Sequence, residues 1–388
     1  MNIVFLPFHD YKLSLLEGFR TRDAHIYSQI VKSNNVDNVV IINRPTLFLE
    51  VLLQRKNLST PGGRLIYSSK MLNIREIRSK LFVIDILDFS FIKPILLGKG
   101  FINQLYFKNK EKIKKALDII GCDDFVTYES SPLTRSLVEY LEPRLKVFDG
   151  VDNFCKHESY APLNNFLVHE YNEIIKTYEK VFFNSKDSLD FFHCKRNDNV
   201  EFMANGVDCE RFQQDYSVPS NYIKSKSLGR NIAVYAGKMQ SMFDVNLARD
   251  LAKQFPQVDF FYLGKILTGS PNIQLLDCEN INFIGDIHYD LLPSFITNSD
   301  ICIIPYRVEK QHGGDPIKFY EYYASGKPIV TTCIGDIQKY HDNESVFVVN
   351  RDDFCVSFEL ALASVHREKR AIPEEMSWTY KAEYMFIE

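Results

Sequence analysis

The chain has 388 residues, 45% of them hydrophobic, with 46 basic against 50 acidic side chains and a net charge of −4. That length supports two ordinary domains with separate cores. The balanced charge excludes the broad basic field of a non-specific nucleic-acid binder, so no nucleic-acid partner is expected.

The N-terminus, MNIVFLPFHDYK, has no basic region ahead of a long apolar run and no small-residue cleavage site. No uncharged stretch of about 18 residues follows anywhere, so a cytoplasmic protein is expected, with any membrane contact peripheral, on the inner face. Short apolar runs then alternate with helical patterns: NIVFLPF, NVVIINRP, LFVIDIL, DFVTYES, LKVFDGV and KVFFNS read as buried strands, and segments such as RSLVEYLE carry helical spacing. This rhythm predicts an α/β fold with a parallel, doubly wound, Rossmann-like sheet covered on both faces.

One stretch of this half departs from the balanced charge. From Phe89 to Lys115 it combines large apolar side chains with seven lysines and a single acid, Glu111. That composition suits either the interface of an anionic bilayer or a buried passage followed by a solvated lysine face. Further on, Asp149 directly follows the strand LKVF, which sets it at the carboxyl end where open parallel sheets bind ligands; Asp152 lies nearby. Both are candidate general bases, and both are equally candidate turn or cap residues.

The apolar rhythm lapses in NGVDCERFQQDYSVPSNYIKSKSLGRN, which marks a linker at 210–230 between a domain at 1–209 and a second at 231–372. It restarts with NIAVYAG, VDFFYLG, INFIG, DICIIPY, PIVTT and SVFVV, a second doubly wound domain. The eight cysteines, scattered through both halves, include no C-x-x-C pair and have no histidines at zinc spacing, so they read as buried thiols in a reducing compartment.

The segment GGDPIKFYEYYASGKPIVTT, residues 313–332, carries the most chemistry. Asp315 and Pro316 open a helix, and Gly326 with Pro328 closes it, which leaves Lys318 in the first turn. The unpaired amides there carry about half a positive elementary charge, so a lysine beside them is unfavourable unless an anion shares the site. Gly313 and Gly314 allow close backbone approach, and Glu321 lies one turn on, on nearly the same face. A nucleotide diphosphate meets these needs, with phosphates at the amides and Lys318 and ribose hydroxyls at Glu321. A solvated i, i+3 pair is the alternative.

The same segment resembles the P-x-K-x-x-E-x-x-A-x-G-x-P-V-V signature of glycosyltransferases with the two-domain GT-B fold, in which the lysine and glutamate hold a sugar nucleotide. FFNSKDSLDFF with MANGVDCERF, the run AVYAGKMQSMFDVNLARDLAKQFPQVDFFYLG, and NINFIGDIHYDLLPSFITNSDICIIPY are similar in order to family 4-like (group 1) enzymes. MSWTYKAEYM resembles their final helix, here 373–388, which crosses back to the first domain. The resemblance covers about residues 180–388. The first half is matched loosely: VFDGVDNF is similar to a stretch of bacterial polysaccharide glycosyltransferases of the teichuronic-acid and xanthan type.

The resemblance implies an N-terminal acceptor domain, a C-terminal donor domain, and transfer of a sugar from a nucleotide diphosphate, UDP for preference, to a surface glycan such as capsule or lipopolysaccharide, lipid-linked and reached at the membrane. It also implies Lys238 against the diphosphate, Phe283 and Ile284 beside the base, and Gly18, Arg22 and His25 toward the sugar or acceptor. Each has a plain structural alternative. Many retaining relatives carry a glutamate where this chain has Gly313, which leaves retention or inversion open. The absence of a D-x-D triplet implies transfer without an essential metal or other cofactor. A sugar-nucleotide epimerase on the same fold, and a non-enzymatic glycan-binding or assembly protein, are the alternatives in function.

Overall fold

A computed structural model describes residues 1–267, 277–310, 314–364 and 370–387. The chain forms two units, one of Met1–Met203 with Trp378–Glu388 and one of Ala204–Ser377. The first division therefore falls six residues ahead of 209, and the segment expected as a linker belongs to the second unit, with short helices at Cys209–Phe212 and Ile223–Ser227. The final helix, Trp378–Phe386, belongs to the first unit.

The first unit is built on strands β1 (Asn2–Leu6), β2 (Asn38–Ile42), β3 (Thr46–Leu47), β4 (Arg64–Ser68), β5 (Leu72–Arg78), β6 (Leu81–Asp88), β7 (Phe125–Glu129), β8 (Leu145–Gly150), β9 (Lys180–Phe183) and β10 (Val200–Phe202). Their order is β10-β9-β8-β7-β1-β2-β6-β5-β4, with β3 beside β6. The central strands are apolar throughout because both faces are covered. Val4, Val40 and Ile84 point into one core with Ile113, Leu137 and Leu167. On the other face Phe5 meets Tyr27, from the helix Arg22–Ile30, and Phe386.

One edge departs from the expected parallel pattern. β4, β5 and β6 form an antiparallel meander. In LNIREIR the apolar positions alternate, Leu72 and Ile74 being buried while polar neighbours face out, which is the pattern of a half-covered edge. Continuous apolar runs alone do not reveal such strands.

The second unit contains β11 (Asn231–Ala236), β12 (Val258–Leu263), β13 (Ile281–Gly285), β14 (Ile301–Ile304), β15 (Ile329–Thr332) and β16 (Val346–Val349), in the order β13-β12-β11-β14-β15-β16. All its pairings are parallel. The helix Val245–Gln254 starts at Asp244, whose carboxylate accepts the Leu247 amide at 3.0 Å, and buries Leu247, Ala248 and Leu251. The helix Ile317–Ala324 is buried on nearly every side through Phe319, Tyr320, Tyr322 and Ala324.

Candidate functional site

In the second unit the strand ends converge where parallel sheets bind ligands. Gly237 follows β11 and Gly264 follows β12, both at positive φ. A Cβ on Gly264 would lie 2.1 Å from the Gly237 carbonyl, so the two backbones approach more closely than any side chain permits. A Cβ on Gly237 would in turn lie 2.0 Å from Lys318 Nζ. Gly237 therefore makes the room in which the Lys318 ammonium sits.

The helix that carries Lys318 is anchored from its start. Asp315, buried, accepts the Asn205 amide at 2.8 Å and the Tyr320 hydroxyl at 2.7 Å, while the Asn205 side chain donates to the Asp315 carbonyl at 2.5 Å. The helix begins at Ile317, so Lys318 lies in its first turn, half-buried. Its Nζ donates to Tyr306 Oη at 2.5 Å and to Tyr235 Oη at 3.3 Å, and lies 4.4 Å from the Tyr235 ring centroid. Burial pushes the Tyr235 phenol well above its ordinary pKa, so it stays neutral. Among the described residues no carboxylate lies within ion-pair distance of Lys318. Its charge, added to that of the helix start, is met by neutral oxygens and aromatic faces.

Glu321 is one turn further on and buried; its Oε1 accepts the Tyr289 hydroxyl at 2.6 Å. Burial, then the Glu321 charge, raises the Tyr289 pKa, which fixes Tyr289 as the donor. Lys238 is half-buried at the end of β11, and its carbonyl accepts the Tyr235 hydroxyl at 3.0 Å. Gly314 is half-buried just ahead of the helix, and Gly313 lies outside the described residues. On β13, Phe283 is 40% exposed with its ring tilted against Tyr262, whereas Ile284 packs against the core. Phe283 therefore presents a free aromatic surface and Ile284 does not. Tyr306 also borders a cavity of about 490 Å³ lined by Phe243, Asp244, Arg307, Glu309 and Arg351.

The first unit treats its expected residues differently. Asp149, at the end of β8, has no exposed surface; its Oδ2 accepts Arg22 Nε at 2.7 Å and the Tyr128 hydroxyl at 2.6 Å. The reading of Asp149 as the group that meets an acceptor hydroxyl does not fit this arrangement, because its charge is already taken by a buried guanidinium. Arg22 is 1% exposed and closed inside the same pair. His25 is buried, its ring stacked on Trp378 at 4.9 Å and 7°. Gly18 ends the helix Tyr11–Glu17 in the left-handed conformation at φ +83°, a capping duty. Of the two aspartates, Asp152 is the exposed one.

Several residues at the sites escaped sequence reading. Tyr306 ends the run CIIPY and Gly237 ends AVYAG, and their place directly after strands was the available signal. Tyr289 and Tyr128 carried none, because each gains its role from a partner distant in sequence. Among the described residues no group of three or more His, Cys, Asp or Glu is placed to hold a metal ion. No helix among them is long and apolar enough to cross a membrane.

Residues 230–367 match the family described as Glycosyl transferases group 1. Bacillus subtilis (strain 168) TuaH, whose name assigns it to teichuronic acid biosynthesis as a glycosyltransferase, is 25% identical over 235 residues, covering 56% of this chain and 57% of TuaH. The chain thus spans a little over half the length of that curated relative. Three solved structures share the fold over nearly the whole chain. Sucrose-phosphate synthase from Thermosynechococcus elongatus aligns with a TM-score of 0.65 and 11% identity, covering 99% of this chain and 94% of its own. The α,α-trehalose-phosphate synthase (UDP-forming) from Burkholderia xenovorans gives 0.63 and 12%, covering 100% and 95%. Anabaena HepE in complex with UDP and glucose gives 0.61 and 13%, also covering 100% and 95%. At such identities the likeness is one of fold, and the fold is the expected GT-B class of two doubly wound units.

Proposed function

We propose, from the match of residues 230–367 to Glycosyl transferases group 1, that the chain transfers a sugar from a nucleotide diphosphate sugar, with UDP as the nucleotide, to a glycan acceptor of a bacterial surface polysaccharide. The observation that carries this reading is the Lys318 ammonium, held in the first turn of a helix by two phenol oxygens rather than by a carboxylate. A cation so placed is stabilised by an anion, and a diphosphate supplies one.

In this reading Lys318, with the amides of the helix start and the backbone of Gly314, holds the leaving diphosphate, and Lys238 supports it from beyond the end of β11. Glu321, aimed by Tyr289, accepts the ribose hydroxyls. The exposed ring of Phe283 stacks on the base, with Ile284 behind it. Charge on the leaving group is stabilised by these residues without a metal, so turnover in EDTA is expected to match turnover in its absence. The proton of the acceptor hydroxyl goes to Asp152, while Asp149 positions Arg22.

The known names among the relatives fit this reading: TuaH by its assignment, and HepE and the trehalose-phosphate synthase by UDP. The TuaH assignment supports a glycan acceptor; that this acceptor is a lipid-linked surface glycan is part of the proposal. A panel of sugar nucleotides in a thermal-shift assay tests the donor, since a ligand at 100 times its Kd adds about 2.7 kcal/mol of stability. UDP-sugars are expected to raise the Tm of the wild type, and that of Lys318→Ala by about half or less at the same concentration. A panel without any stabilising nucleotide would overturn the proposal.

A further inference from the structure

The apolar, lysine-rich stretch 89–115 divides in the structure. Its C-terminal lysines are occupied: Lys108 pairs with Asp88 at 3.0 Å, Lys112 donates to Asn109 at 2.6 Å, and Lys110 lies 4.1 Å from the Phe107 ring. The helix that carries most of them, Lys110–Ile120, buries Ile113, Ala116 and Leu117 in the core. It is an ordinary amphipathic helix with a solvated lysine face.

The N-terminal part is the opposite. The helix Ile92–Leu97 buries none of its residues, and Ile92, Ile95 and Leu96 are 72%, 76% and 75% exposed. A second helix, Phe48–Gln54, also buries none, with Leu52 and Leu53 59% and 79% exposed. Phe48 joins the two, its ring 5.1 Å from Phe89 and 6.2 Å from Phe91, both of which are themselves exposed. Seven large apolar side chains, Leu52, Leu53, Phe89, Phe91, Ile92, Ile95 and Leu96, are thus left uncovered on two segments joined through Phe48, and clustered exposed apolar side chains of this kind signal a partner.

We propose that this composite surface, Phe48–Lys56 with Phe89–Gly100, inserts into the interface of an anionic lipid bilayer. The charges select the occupant. Arg55 and Lys93 are exposed around the apolar residues, Lys99 is exposed with its ammonium 3.8 Å from the Tyr160 ring centroid, and the one acid, Glu50, is neutralised by Arg44 and Lys56 at 2.7 and 2.8 Å. Interfaces between proteins are depleted in lysine, whereas surfaces that enter headgroups combine lysine and arginine with leucine and phenylalanine. Anionic headgroups also reward each such cation, in a salt-dependent way. The inference rests on the proposed lipid-linked acceptor for its purpose, since it would hold the acceptor unit where that lipid lies.

Co-sedimentation of the full chain with vesicles of phosphatidylglycerol and phosphatidylethanolamine, against pure phosphatidylcholine, tests it. The wild type is expected to pellet with the anionic vesicles and to be released by salt. Leu53→Ser/Ile95→Ser/Leu96→Ser should lower the bound fraction about tenfold, as loss of several inserted side chains requires. Lys108→Glu/Lys112→Glu/Lys114→Glu should bind within about twofold of wild type, because these lysines do not carry the insertion. The triple serine variant should keep its UDP-induced thermal shift, so loss of vesicle binding with that shift intact concerns this surface alone, and absence of the shift in wild type concerns the donor reading alone. As a second probe, Ile95→Trp adds an exposed indole to a chain whose single tryptophan, Trp378, is buried. Its emission is expected to move to the blue with anionic vesicles. Wild-type protein left in the supernatant, full binding by the triple serine variant, an unmoved Ile95→Trp emission, or a concentration-dependent dimer that the serines abolish would each overturn the proposal.

Discussion

The two units place a cation in the same local setting and resolve it in opposite ways. Arg22 opens the helix Arg22–Ile30 and Lys318 lies in the first turn of Ile317–Ala324, each beside the positive end of a helix dipole. Arg22 is fully buried and its charge is met inside the unit by Asp149. Lys318 is half-buried and is met by the phenols of Tyr306 and Tyr235. A cation with a resident carboxylate is a structural element, whereas one held by neutral oxygens keeps its charge available. The same residue class in the same local position therefore has different meanings, and burial together with the partner decides between them.

The widest separation between the two should come from stability. Asp149→Ala leaves a buried guanidinium without its counter-charge and is expected to cost about 3–5 kcal/mol. Lys318→Ala removes a cation from a helix start and should change stability by less than about 1 kcal/mol, in the favourable direction if at all. Urea denaturation of both variants measures this. Equal losses would break the comparison by making Lys318 as structural as Arg22.

Glu129 sharpens it from the other side. It ends β7 fully buried, accepts the Thr134 hydroxyl at 2.5 Å, and burial pushes its pKa up to about 7. A buried carboxyl without such an ion pair instead keeps its proton to a higher pH than an exposed one. Below about pH 4.5 it is protonated in both states; between about 4.5 and 7 the unfolded chain releases a proton that the fold retains, so stability falls as pH rises through that window. The loss is about 3 kcal/mol and is complete above pH 7. Glu129→Gln should flatten this part of a stability–pH curve. An unchanged slope would show that another group governs it.

For binding the ranking reverses. Lys318→Ala should weaken UDP about 10–100-fold, the worth of a charge-assisted hydrogen bond to phosphate. Calorimetry of UDP binding checks the value, and an affinity within a factor of two of wild type would remove Lys318 from the donor site.

The strands of both sheet centres were legible because they are buried on both faces and so read as unbroken apolar runs. The β4–β5 edge was hidden, since its period-two pattern alternates buried Leu72 and Ile74 with the polar Asn73 and Arg75. In the donor segment the chemistry was local: a helix start, a lysine in its first turn and a carboxylate one turn later all lie within ten residues. For Asp149 it was not. Sequence sets it at a strand end, yet its role depends on Arg22, 127 positions away, and Tyr128, 21 away. Gly18, Arg22 and His25 likewise take part in a helix cap, an ion pair and a stacked ring that their sequence neighbourhood does not announce.

The smallest effect tests how the ammonium is aimed. Tyr306 Oη is the nearer of the two oxygens on Lys318, at 2.5 Å against 3.3 Å for Tyr235, and Tyr306 follows β14 where the backbone leaves the sheet. Its amide donates to Thr332 Oγ1 at 3.2 Å, so the residue is held from both ends. Tyr306→Phe removes one neutral acceptor and keeps the ring, which lies 4.9 Å from Nζ. The lysine then loses a hydrogen bond worth about 0.5–1.5 kcal/mol but keeps its charge, so UDP affinity should fall about three- to tenfold, well short of the Lys318→Ala loss. If Tyr306 only positions Lys318, the double variant Tyr306→Phe/Lys318→Ala should bind UDP no worse than Lys318→Ala alone, because the hydroxyl has nothing left to orient. Fully additive losses in that cycle would mean instead that Tyr306 contacts the nucleotide on its own account.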